Sequence, residues 1–80
     1  MSVSNKIRAL LNLTDSKPTD LAESLGISVQ AVRNKFTRDS FSAADLIKIS
    51  DALDCQLTLT TSTGQSITLD MDDLKSKEEF

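Results

Sequence analysis

The stretch Lys17-Pro-Thr-Asp-Leu-Ala-Glu-Ser-Leu-Gly26-Ile-Ser-Val-Gln-Ala-Val32-Arg-Asn-Lys-Phe-Thr-Arg38 decides the fold. Leu21, Ala22 and Leu25 form one apolar stripe at helical spacing. Pro18 suits the first position of that helix, because no N–H is needed there. This leaves Lys17 as the cap residue, although its side chain offers no acceptor oxygen. Gly26 stands where a helix end favours a left-handed residue. Ser28 is placed to cap a second helix, with Ile27 and Val32 at the positions of a hydrophobic staple. Two short helices joined by a three-residue turn make a helix-turn-helix unit.

The second helix has two distinct faces. At ~100° per residue, Val32 and Phe36 define a buried direction, and Gln30, Asn34 and Arg38 line the opposite side. Arg33 and Lys35 fall on the two flanks, roughly 80° from the buried direction. A central row of amides with cations on both rims suits a DNA major groove. Amides bond bidentately to adenine edges, while cations meet phosphates along the groove walls.

Outward from this unit, local signals give the remaining elements. Val3, Ile7, Leu10 and Leu11 recur at helical spacing, with Ser2 or Ser4 as the cap. Phe41-Ser42-Ala-Ala-Asp45-Leu46 combines an S-x-x-D capping pattern with a staple pair and opens a further helix. From Gln56 the period changes to two. Leu57 and Leu59 alternate with Thr58 and Thr60, Ile67 and Leu69 alternate with Thr68, and Gly64 lies in the turn between them. The sequence thus predicts helices at about 3–13, 18–25, 29–38 and 43–54, and hairpin strands at about 56–61 and 65–70. Residues 1–71 form a single domain in this reading, and 72–80 are a polar tail in which Leu74 starts a short helix and the end frays. A lone hairpin is marginal in water, so this one is expected to pack on the helices, on a second chain, or on both.

Composition limits the chemistry. The 80 residues contain no His, Trp or Tyr, one Cys and two Gly. The commonest general base and metal ligand is therefore missing, no zinc cluster can be assembled, and no glycine-rich phosphate loop exists. No catalytic residue, metal or cofactor is expected. Cys55 reads as a small buried hydrophobe, and the Asp70, Asp72, Asp73 group as a solvated turn or helix start. The net charge of −3 is unevenly divided. Residues 1–40 carry six cations and four anions, residues 41–80 three cations and eight anions. Ser28–Arg38 holds three cations and no acid, and local charge governs docking more than the total does. Without an apolar leader or a spanning run, the chain is expected in the cytoplasm and not at a membrane.

Two linked blocks extend the reading. Thr19-Asp-Leu-Ala-Glu-Ser-Leu-Gly-Ile-Ser-Val-Gln-Ala-Val32 and Phe41-Ser-Ala-Ala-Asp-Leu-Ile-Lys-Ile-Ser-Asp-Ala-Leu53 resemble the Cro/XRE (lambda-repressor-like) helix-turn-helix family over roughly residues 5–56. The resemblance implies a mainly α fold of four to five helices, here followed by a C-terminal β-hairpin. It also implies a dimer on a near-palindromic operator, with the helix after Gly26 in the major groove of double-stranded DNA. Carried over by position, Val29, Gln30 and Asn34 match base-reading residues, and Ser28 matches a phosphate-contacting cap. Lys17 and Thr19 begin the helix that crosses the DNA backbone. Arg33, Lys35 and Arg38 are phosphate candidates from the wheel itself. The wheel also puts Val29 near the buried side, which leaves it a contact to a thymine methyl. The chain departs from the family pattern at Pro18, where many relatives carry a phosphate-bracing Gln. It departs again at Phe36–Ser40, which lacks a glycine ending, and at Asp54, where a glycine commonly closes the helix.

Two functions follow. One is a sequence-specific DNA-binding transcriptional regulator, probing an operator as a homodimer and repressing by occlusion, without an effector domain. The other is a protein-binding module on the same fold, such as an antitoxin or adaptor, gripping a partner through the hairpin and the acidic half.

Overall fold

The computed structural model describes residues 2–76. Its elements are α1 (Val3–Leu13), α2 (Pro18–Leu25), α3 (Val29–Arg38), α4 (Ala43–Ala52), β1 (Leu57–Thr60), β2 (Ser66–Leu69) and α5 (Asp72–Ser76). This is a helical helix-turn-helix fold carrying a C-terminal hairpin. The strands are shorter than the sequence pattern suggests, and α4 stops two residues earlier. The segment read as a polar tail holds α5, and residues 77–80, where the tail is expected to fray, lie outside the described residues.

Helix starts follow from side-chain chemistry. Ser2 Oγ accepts from the Asn5 N–H at 3.1 Å, Ser28 Oγ from Ala31 at 3.1 Å, and Ser42 Oγ from Asp45 at 3.1 Å. Asp45 completes a capping box by accepting from the Ser42 N–H at 2.9 Å. At α2, where Lys17 has no acceptor, the Asp20 carboxylate takes the Lys17 N–H at 2.8 Å. Asp20 thereby supplies half of a capping box and a negative charge beside the helix N-terminus.

Helix ends share one device. The backbone N–H groups of Ser16, Ile27, Ser40 and Cys55 reach back to the carbonyls of Leu11, Ala22, Lys35 and Ser50 at 2.8–3.1 Å. These are Schellman closures, and each needs a left-handed residue just before the donor. Gly26 fills that place in α2 at φ +67°. Asp15, Asp39 and Asp54 fill it elsewhere, at φ +53° to +57°. Aspartate tolerates this region better than other residues with a Cβ, so the missing glycines at Asp39 and Asp54 do not prevent closure.

The core joins all four main helices: Ile7 and Leu11 from α1, Leu21 and Ala22 from α2, Val32 and Phe36 from α3, and Ile49 from α4. α2 packs on both α3 and α4, and α1 on α3. The hairpin reaches this body through β1 against α4. Its register pairs Leu57 with Leu69 and Leu59 with Ile67 on one face. On the other face, the Thr58–Thr68 and Thr60–Ser66 hydroxyls meet at 3.1 and 3.0 Å. Leu57 and Leu69 are half-buried, whereas Leu59 and Ile67 remain 63% and 68% exposed. The apolar face is therefore covered at its base and bare toward the turn.

Candidate nucleic-acid interface

Val32 is wholly buried and Phe36 nearly so, and together they seat α3. Gln30, Asn34, Arg33 and Arg38 are exposed, as the wheel requires. Gln30 Nε2 donates to Asn34 Oδ1 at 3.3 Å, so the two amides form a pair one helical turn apart. Each retains donors and acceptors for other partners. Val29 is half-buried and packs against the core, which limits it to an apolar contact at the edge of this face. Ser28 uses a lone pair on its own helix and keeps its hydroxyl proton. Lys17 and Thr19 are exposed at the start of α2, beside the start of α3.

Lys35 behaves differently from its wheel position. Its Nζ sits 2.9 Å from Asp45 Oδ2, with the two side chains only 27% and 15% exposed. The ammonium thus ties α3 to the start of α4, an engagement the helical wheel alone does not show. Burial raises the Asp45 pKa, but hydrogen bonds from Lys35 and Ser42, together with the Lys35 charge, outweigh that effect. The carboxyl titrates below its ordinary value.

A second clamp fixes the far end of the helix. Asp39 Oδ1 accepts from the Ser4 N–H at 2.7 Å and lies 2.7 Å from Ser4 Oγ, which is also 3.0 Å from the Phe36 carbonyl. α1 has no acid in its own first turn, so Asp39 provides one from the end of α3. Hydrogen bonds from the Ser4 side chain and backbone hold the Asp39 carboxyl below its ordinary range. Ser4, read as a possible cap, is instead the buried half of this clamp, and Ser2 caps the helix.

Arg8 was not among the residues singled out from sequence. Its guanidinium carbon lies 4.9 Å from the Phe36 ring centroid, beside a notch of about 530 Å³ formed where α1, the start of α2 and α3 meet. Lys17, Thr19, Val29 and Arg33 share its wall. No pattern within α1 singles Arg8 out, because its relevance comes from α1 lying against α3. Among the described residues no group of His, Cys, Asp or Glu could hold a metal ion, and no helix is long and apolar enough to cross a membrane.

A helix backed by Val32 and Phe36, with an exposed amide row and set after a glycine turn, completes a helix-turn-helix unit. Residues 7–66 match the bacteriophage CI repressor helix-turn-helix domain, and the chain belongs to that family. No curated protein and no solved structure matches it.

Proposed function

We propose that the protein is an operator-binding repressor that inserts α3 into the major groove and acts as a homodimer. The observation that carries this reading is the Gln30–Asn34 amide pair, exposed on the side of α3 opposite Val32 and Phe36. Gln30 and Asn34 read base edges, and Val29 offers its methyls to a thymine. Lys17, Thr19, Ser28, Arg33 and Arg38 hold the backbone phosphates; Lys35 is engaged by Asp45, and Arg33 and Arg38 supply the positive potential of α3. The resemblance of the two blocks quoted above to Cro/XRE proteins supports this reading. Occupancy of the operator then excludes the transcription machinery.

The bare Leu59–Ile67 end of the hairpin supports a protein contact. A second copy is the partner a two-fold operator calls for, since protein symmetry mirrors the palindrome. The same surface and the acidic second half favour the adaptor or antitoxin reading as the alternative. Substitution of the reading row separates the two. Gln30→Ala or Asn34→Ala is expected to lower preference for the selected site over a single-base variant by ~1–3 kcal/mol at the contacted pair. Unchanged preference in both variants removes α3 as the reader.

A further inference from the structure

We infer that Arg8 is a DNA-backbone anchor delivered by α1, held in place by stacking on the Phe36 ring. The inference rests on the operator-binding reading and adds a contact from outside the helix-turn-helix unit. The notch beside α3 is lined by the apolar Leu11, Pro18 and Phe36 together with the cations Arg8, Lys17 and Arg33. No carboxylate lines it. Among the described residues none of these three cations makes an ion pair. Three cations outside any ion pair, beside apolar side chains, match one deoxyribose-phosphate unit, with the sugar against the apolar groups and the anionic oxygens toward the cations.

Arg8 is suited to this role by its mounting. The guanidinium lies 4.9 Å from the ring centroid, within cation–π range, so its plane is held without using its N–H donors. Phe36 is itself 8% exposed and braced edge-on by Phe41, with centroids 5.1 Å apart at 76°. The ring that holds Arg8 is thus the ring that seats the reading helix. A phosphate on Arg8 fixes the register of α3 with only one buried side chain between them.

The test is an anisotropy titration of a labelled duplex over a series of salt concentrations, using the full chain. Wild type, Arg8→Gln, Arg8→Lys and Asn34→Ala are compared on the selected site and on a scrambled duplex. Arg8→Gln is expected to flatten the slope of log K against log salt by ~0.9 and to weaken both duplexes by the same factor. Arg8→Lys restores the slope, because the charge returns. Asn34→Ala keeps the wild-type slope and loses discrimination between the duplexes. If Arg8→Gln lowers thermal stability but leaves the slope at the wild-type value, Arg8 is only a packing residue and the inference is overturned. If the wild type itself binds neither duplex in a salt-dependent way, the operator-binding reading fails and takes this inference with it.

Discussion

The Lys35–Asp45 pair gives a prediction in which stability and DNA binding move separately. A wheel places Lys35 on the phosphate rim, whereas its ammonium is 2.9 Å from Asp45 Oδ2. Fully exposed pairs contribute about 0.2–1 kcal/mol and hydrogen bonds to charged groups about 1.5–3. With the side chains 27% and 15% exposed, the pair falls between these limits, at a coupling of about 1–2 kcal/mol. A double-mutant cycle of Lys35→Met and Asp45→Asn measures it. Met keeps the apolar stem, and Asn keeps an acceptor for the Ser42 N–H. At roughly 4–8 °C per kcal/mol for a domain of this size, Asp45→Asn is expected to lower Tm by roughly 4–16 °C. Far-UV circular dichroism is the assay, since the chain lacks Trp and Tyr. The second readout is the salt slope of DNA binding. Lys35→Met should leave it unchanged, and Asp45→Asn should steepen it by up to ~0.9 as a freed ammonium reaches a phosphate. A flattened slope in Lys35→Met, with no loss of stability, would refute the reasoning and return Lys35 to the DNA.

Acid should loosen both clamps on α3. Asp39 and Asp45 titrate below 3.8 when folded, so their contribution is fully present above that value and is lost as pH falls through the depressed range. Denaturant midpoints should accordingly hold steady near neutrality and drop below pH 3.8, with a shallower acid limb in Asp39→Asn. Asp54→Gly is expected to raise stability by about 0.5–1 kcal/mol, since it removes a Cβ from a left-handed site without touching a side-chain partner. A fall in the denaturation midpoint would show that Asp54 is held by something beyond backbone closure.

Sequence made legible those features that are encoded locally. The caps at Ser28 and Ser42, the glycine at the end of α2 and the alternation from Leu57 each act over a few residues, and each marks its element. The exposure of Gln30 and Asn34 followed from the position of Val32 and Phe36 on the same helix. What escaped was relational. Ser4–Asp39 spans 35 residues, and Lys35–Asp45 needs α4 folded back beside α3. Arg8 gains its place only when α1 lies over Phe36. The hairpin shows the same limit, because alternation gives one apolar face but not where α4 stops covering it. Leu57 and Leu59 share that face, yet only Leu57 is sheltered.

Selection of bound duplexes from a random pool tests the central claim most directly. A dimeric reader built on α3 predicts enrichment of a two-fold symmetric site, with half-sites about one helical turn, ~34–36 Å, apart. Recovery of no preferred sequence, at any protein concentration that binds DNA in low salt, would contradict it.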